Sequence, residues 1–158
     1  MLNADDPGSQ LLLAKMECPT ITFGIKKSAE VMASVVERSP GEQVFVLTAG
    51  NEAIPVRTRV VGDEHIANCL AAAAVGLVYG ADLTAIARGL EAIERLPNSL
   101  DRVTCGQVFN VFVDCADTPD RLATVLKTLR SITRGRLICA IGSDDQLSNS
   151  AAADALRY

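Results

Sequence analysis

At 158 residues and 16.7 kDa the chain has the size of one ordinary domain, or of two small or partial ones. With 49% hydrophobic and 22% charged residues its composition is globular, and with 4% aromatics and no Trp its core is expected to be aliphatic. A balance of 15 basic against 19 acidic side chains, a net charge of -4, argues against a nucleic-acid binder with a broad basic face. The longest apolar run, Ile66–Tyr79, is interrupted by Asn68 and is shorter than the roughly 20 residues that cross a membrane. No basic segment followed by an apolar stretch opens the chain, so no secretory signal is expected. Cys18, Cys69, Cys105, Cys115 and Cys139 are odd in number and widely spaced, without Cys-x-x-Cys or Cys/His metal spacing; buried thiols in a reducing cytoplasm are the expectation.

Taken in chain order, Gly8–Met16 reads as a short helix with Ser9 as its cap, and Thr20–Phe23 as a short strand stopping at Gly24. Glu30–Arg38 and Gln43–Thr48 are strand-like and flank Ser39-Pro40-Gly41-Glu42, which has turn chemistry, so they predict a hairpin. Ala53–Val61 alternates: Ile54, Val56, Thr58 and Val60 share one face, Arg57 and Arg59 the other. Three such strands in succession predict an antiparallel meander. His65–Tyr79 is an Ala-rich helix stopped by Gly80, and Asp82 caps a second helix over Leu83–Leu96, ended by Pro97. Val108–Val113 and Arg136–Ile141 read as buried strands on either side of a helix over Pro119–Ile132, capped by Thr118 and with Pro in its first turn; a last helix starts at about Ser148. That order predicts a parallel βαβ unit. The chain is therefore expected to divide into residues 1–97 and 98–158.

Few residues stand out for chemistry. Asp5-Asp6 is placed to bind a metal or to cap a turn, and its position favours the cap. His65, the lone histidine, opens a helix three residues before Asn68, so the two can share a face, yet a lone His is more often a satisfied surface or capping residue. Asp114 falls at the C-terminal end of a predicted parallel strand, where α/β sheets bind ligands, and Asp117 follows; a carboxylate there suits ribose hydroxyls or caps the next helix. No phosphate loop, dinucleotide fingerprint, nucleophile elbow, zinc helix or EF-hand loop occurs, and no metal ligand set is expected.

Four segments in order resemble the Mur ligases, the ATP-dependent amide-forming enzymes of peptidoglycan synthesis. They are most similar to the type that adds diaminopimelate or lysine to UDP-N-acetylmuramoyl-alanyl-glutamate. Leu2-Asn3-Ala4-Asp5-Asp6-Pro7 resembles the family's N-A-D-D-P stretch late in its central ATPase domain, with Thr22-Phe23-Gly24 following at the usual distance. Val61–Ala72 resembles G-x-F-N-v-x-N-x-L-A-A, which closes over adenine, and Leu100-Asp101-Arg102 stands where the family has G-R-x-E. Val113–Asp120 resembles V-D-Y-A-H-T-P-D at the start of the C-terminal domain, with Asp114, Ala116, Thr118, Pro119 and Asp120 identical. Departures fall among them: Glu64-His65 replaces Phe-Asn, Asp101-Arg102 replaces Gly-Arg, Cys115 and Asp117 replace Tyr and His, and Ser143–Leu147 replaces a basic loop.

The resemblance implies an α/β fold: the end of a central ATPase domain over 1–97 (antiparallel meander plus helices), then the first half of a Rossmann-like C-terminal domain over 98–158. It implies Asn68 at adenine, Arg102 near phosphates and Asp114 on ribose, with His65 and Asp117 as further candidates. It also implies ATP and Mg as cofactors, and a UDP-muramoyl peptide and an amino acid as partners, without nucleic acid or membrane. The resemblance begins downstream of the phosphate loop and the magnesium ligands and ends before the motif that holds the incoming amino acid. The isolated chain is therefore expected to be inactive and to hold no cofactor tightly. Rival readings are a non-catalytic module docking on a protein partner, and a fragment of a folylpolyglutamate- or cyanophycin-type ligase.

Overall fold

A computed structural model describes residues 1–142. Eleven elements follow one another: β1 (Leu2–Asn3), α1 (Pro7–Leu13), β2 (Thr22–Gly24), β3 (Val31–Arg38), β4 (Gln43–Ala49), β5 (Glu52–Thr58), α2 (Asp63–Val78), α3 (Leu83–Glu91), β6 (Asp101–Val103), β7 (Val111–Val113) and α4 (Pro119–Ile132). Strands β1 to β5 form one sheet in sequence order. Its first three strands are parallel, with Leu2 opposite Thr22 and Phe23 opposite Val31. Its last three are the predicted antiparallel meander, with Phe45 between Val35 and Val56.

Alternation decides which face of the meander is covered. Gln43, Phe45 and Leu47 of β4 are buried, as are Val31 and Ala33 of β3 and Val56 and Thr58 of β5. On this face lies α2, which buries Ile66, Cys69, Leu70, Ala73 and Ala74 at helical spacing. The Oδ1 of Asp82 accepts the Ala85 N–H at 2.7 Å and starts α3, which buries Leu83, Ile86, Ala87 and Leu90. The α2 and α3 backbones meet closely at Gly76, where a Cβ would stand 3.0 Å from Ile86 Cγ1. The core is thus aliphatic apart from Phe45, with Phe23 packed at its border.

Several elements differ from the sequence expectation. Asp6, not Ser9, caps α1: its Oδ2 accepts the Ser9 N–H at 2.6 Å, and the helix stops at Leu13. Helix α3 ends at Glu91 rather than Leu96. Leu96 precedes Pro97, which disfavours helical backbone there. Upstream, Glu91 accepts the Arg57 N–H (2.9 Å), and Glu94 pairs with Arg59 (2.8 Å).

The largest correction concerns the expected parallel strands. Only Val111–Val113 of the first run is a strand, and it pairs antiparallel with β6, Arg102 opposite Phe112. Val108 and Phe109 are exposed. The cause is local turn chemistry: Gly106 takes a positive φ of 80°, while the Gln107 side chain donates to Val103 O and accepts the Cys105 N–H. Residues 136–142 join no ladder among the described residues, and Ile138 is exposed. The helix expected from Ser148 lies outside the described residues. Helix α4 forms as predicted, with Thr118 Oγ1 accepting the Arg121 N–H at 3.4 Å and Pro119 in the first turn. Its Leu129 and Ile132 pack with Val61, which fastens α4 to the loop before α2.

Candidate nucleotide site

The seam between β5 and α2 is organised by Gln43. This side chain starts β4 on the buried face, so the alternation that buries Phe45 and Leu47 buries it too. Its Nε2 donates to Val60 O (3.0 Å) and Gly62 O (3.3 Å), and its Oε1 accepts the Gly62 N–H (3.0 Å) and Arg38 Nε (3.1 Å). Gly62 has φ 116° and ψ 154°, a region essentially reserved for glycine, and a Cβ there would stand 3.2 Å from Thr128 Cγ2. This shape, together with an Arg38–Asp63 ion pair at 2.6 Å, sets the entry of α2.

As a result His65 points inward. It is 5% exposed, its Nε2 lies 3.5 Å from Cys69 Sγ, and its Nδ1 has no partner. Burial lowers the imidazole pKa from its ordinary value and pushes the Cys69 thiol up to about 11. Asn68, one turn on, is exposed.

Asp114 follows β7. Its Oδ2 accepts the Leu100 N–H at 2.8 Å, and its Oδ1 is buried without a partner. Leu100 (φ 46°) and Asn98 (φ 62°) both occupy the left-handed region, which non-glycine residues seldom enter. Asp114 therefore also braces an irregular turn. The two residues that carry these unpartnered atoms, His65 and Asp114, line the same crevice, with Gly62, Glu64, Leu100 and Thr128. Its volume is only about 10 Å³, room for about one water molecule and not for a purine ring.

Asp114 and Asp117 also line a wider cleft of about 640 Å³, bounded by Phe112, Leu122 and Ile138. Asp117 is exposed and lies 3.6 Å from Arg121 Nη1. Arg102 stands elsewhere: it donates to Asn110 Oδ1 (2.9 Å), closes over Gly41 and borders a depression containing Arg59, Glu94 and Arg95. Of the five candidates, then, the small crevice unites His65 with Asp114, while Asn68 and Arg102 lie outside its lining.

Asp5 has the capping kind of role expected of it. It accepts N–H donors of Ile25 (2.7 Å), Lys26 (3.0 Å) and Lys27 (2.8 Å). Burial acts to raise its pKa, and these donors outweigh burial and hold it below the ordinary value. Among the described residues no group of three or more His, Cys, Asp or Glu side chains is placed to hold a metal ion. Sequence reasoning missed Gln43. The available signal was an amide in phase with Phe45 and Leu47, which must find partners wherever that face is buried.

The sheet with its covering helices and the appended α4 unit form the fold of Mur-type amide ligases. The structure superposes on UDP-N-acetylmuramoylalanyl-D-glutamyl-2,6-diaminopimelate–D-alanyl-D-alanyl ligase from Acinetobacter baumannii with a TM-score of 0.78, at 20% identity over 99% of this chain and 34% of that one. It also superposes on a UDP-N-acetylmuramoyl-L-alanyl-D-glutamate–2,6-diaminopimelate ligase with a TM-score of 0.70, at 22% identity over 97% of this chain and 33% of that one. The Mur ligase middle-domain model matches residues 1–76. In sequence, the chain is 37% identical to UDP-N-acetylmuramoyl-L-alanyl-D-glutamate–2,6-diaminopimelate ligase of Geobacillus thermodenitrificans over 90% of this chain and 29% of that protein. The identity is 36% with the same ligase of Geobacillus kaustophilus over the same shares. The chain is thus a relative of the Mur ligases, similar to them over about 90% of its length, and it spans about 29% of the length of the curated proteins it matches.

Proposed function

We propose that the chain represents the end of the central domain and the start of the C-terminal domain of an ATP-dependent UDP-N-acetylmuramoyl-peptide amino-acid ligase, with the division near residues 97–98. It keeps a nucleotide-facing edge and does not ligate by itself. The observation that carries this reading is the Asp114 carboxylate. One oxygen is engaged by the Leu100 N–H, the other is buried and unpartnered, and the residue lines both the crevice and the wider cleft. A free buried acceptor at the end of a strand fits a ribose hydroxyl.

When bound, ATP supplies in this class of ligase the phosphoryl group that activates a carboxylate. This chain's own share is to hold and orient the nucleoside: Asp114 as acceptor, Asn68 toward the base, Arg102 toward the phosphates. The partners in that reading are a UDP-muramoyl peptide and an amino acid, and the compartment is the cytoplasm. Among the described residues no helix is long and apolar enough to cross a membrane.

Charge works against tight binding. Glu64 borders the crevice and Asp117 the cleft. Each acidic group beside phosphates costs about 1 kcal/mol or more at an effective dielectric of about 20. The expected dissociation constant for ATP with magnesium is about 1 mM or weaker, near -4 kcal/mol. Calorimetry tests this: micromolar binding means that Glu64 and Asp117 turn away from the ligand. The companion assay is phosphate release with ATP, a UDP-muramoyl dipeptide and diaminopimelate, and release above background refutes the inactivity of the isolated chain.

A further inference from the structure

Buried thiols are what the sequence leads one to expect, yet four of the five cysteines are exposed and Cys69 alone is buried. Two of the exposed four, Cys115 and Cys139, line the same cavity, the cleft of about 640 Å³ next to Asp114. Cys18 and Cys105 lie outside its lining. Cys115 follows Asp114 after β7, and its Sγ donates to Asn98 O at 3.2 Å, which fixes it at the irregular turn. Cys139 stands in the stretch beyond α4, where Leu137 packs against Leu122 and Leu126 of that helix. Ala116, the neighbour of Cys115, packs against the same two leucines. One apolar cluster thus anchors both cysteine-bearing segments close to their sulfur atoms.

The rest of the lining decides what enters. Phe112, Val125, Leu129 and Ile141 make it largely apolar. Its charged groups are Asp114 and Asp117, and among the described residues no lysine or arginine lines it. Arg121, 3.6 Å from Asp117, approaches from outside the lining. Two carboxylates in a wall without a cation repel anions. A cavity of this size suits a small organic molecule, and an uncharged apolar one loses least on leaving water. To such a pocket the two exposed thiols add nucleophiles for a soft electrophilic carbon.

We propose that this cleft is a thiol addition site for small uncharged α,β-unsaturated carbonyl compounds, with Cys115 and Cys139 as its nucleophiles. The step is a conjugate addition. The thiol gives its proton to solvent, and the thiolate sulfur forms a bond to the β-carbon. The π pair of the C=C bond moves onto the α-carbon and its carbonyl as an enolate, and the α-carbon takes a proton from water. No group leaves, and no oxidant or reductant is consumed. The inference is independent of whether nucleotide binding survives, since it needs the apolar lining and the thiols and not the free oxygen of Asp114.

The test compares reagents on the full chain, with Cys18 and Cys105 as internal standards because both are exposed outside the cleft. N-phenylmaleimide, uncharged and apolar, is set against iodoacetamide, small and polar, and iodoacetate, an anion; peptide mass spectrometry reads the rate at each cysteine. Relative to iodoacetamide, N-phenylmaleimide is expected to favour Cys115 and Cys139 over the two standards by at least about tenfold, and iodoacetate to disfavour them severalfold. Ile138→Glu changes a cleft residue that is 74% exposed, so it keeps the far-ultraviolet spectrum and removes most of the maleimide preference. A second measurement uses the wild type alone: ortho-phenylenedimaleimide, with both electrophiles on one benzene ring, joins Cys115 to Cys139 within single chains. A common reagent preference at all four exposed thiols overturns the proposal. So does a preference that survives Ile138→Glu in the folded variant, or a dimaleimide that labels the two cleft cysteines singly without joining them.

Discussion

Replacing Gln43 by Leu removes the amide that shapes the loop into α2 while keeping a side chain of similar reach. Four hydrogen bonds disappear: those to Val60 O and Gly62 O, and those from the Gly62 N–H and Arg38 Nε. Three of the abandoned groups keep another partner. Val60 O still accepts from Thr58 Oγ1 (3.1 Å), Gly62 O still accepts the Ile66 N–H (3.2 Å), and Arg38 still holds Asp63. Only the buried Gly62 N–H is left with nothing. An orphaned donor costs about 1–3 kcal/mol and each further lost bond about 0.5–1.5 kcal/mol. The added apolar burial of Leu recovers about 1.5 kcal/mol or more. The net expectation is a loss of about 1–6 kcal/mol of folding stability. Thr58→Val is the contrast: Val60 O keeps its bond from Gln43, so the loss stays below about 1.5 kcal/mol. Urea unfolding followed by circular dichroism reads both, with unchanged slopes required before the midpoints are compared. A Gln43→Leu loss below about 1 kcal/mol, or one no larger than that of Thr58→Val, refutes the argument that this amide holds the seam.

Thiol titration of the native chain gives four fast cysteines, Cys18, Cys105, Cys115 and Cys139, and a fifth, Cys69, only on unfolding; burial and a pKa raised to about 11 keep Cys69 protonated, and five fast thiols disprove its burial. His65 makes stability depend on pH. Its folded pKa lies below the unfolded value of 6.5, so the unfolded chain takes the proton first. Its contribution is complete above 6.5 and is lost as pH falls from there toward the folded pKa. His65→Asn removes that slope, as unfolding curves at stepped pH will show; a wild type that gains stability on acidification instead means that the imidazolium pairs with Asp114 or Glu64.

The legible parts of this fold are those with local causes. The meander follows from the alternation of Ile54, Val56, Thr58 and Val60 against Arg57 and Arg59. The starts of α3 and α4 follow from Asp82 and Thr118, whose side chains cap within their own turn. The β6–β7 pair was not legible because a continuous apolar run such as Val108–Val113 carries no information about its partner strand. There the pairing rests on the Gln107 side chain closing a turn at Gly106, a contact a residue pattern does not display. The parallel pairing of β2 with β3 was hidden for the same reason. The site divides in the same way. Asp114 could be singled out from its place after a strand. The inward turn of His65 depends on residue 43 reaching residue 62, a tertiary contact that helical periodicity from His65 onward cannot reveal.

Agreement with a family motif and survival of a binding site are different claims, and this chain separates them. Within Val113–Asp120, Thr118 caps α4, Pro119 occupies its first turn, and one oxygen of Asp114 braces the turn at Leu100. Folding alone is reason enough to retain these residues, so their identity is weak support for nucleotide binding. The positions that differ from the family pattern are of two kinds: Glu64, Cys115 and Asp117 are exposed, whereas His65 is buried and Asp101 lies in β6 and pairs with Arg95 at 2.8 Å. Loss of ligand contacts with the scaffold kept accounts for the exposed departures. One atom resists it. Asp114 Oδ1 is buried and bonded to nothing, so the fold bears its desolvation without any return from the scaffold. Asp114→Asn decides what that oxygen is for. The amide oxygen can still accept the Leu100 N–H, so if the free oxygen has no ligand the substitution is neutral or stabilising and leaves any weak ATP affinity unchanged. If a hydroxyl donor is its partner, placing an NH₂ there removes the acceptor, and the residual affinity measured by calorimetry or ligand-observed resonance falls while stability does not.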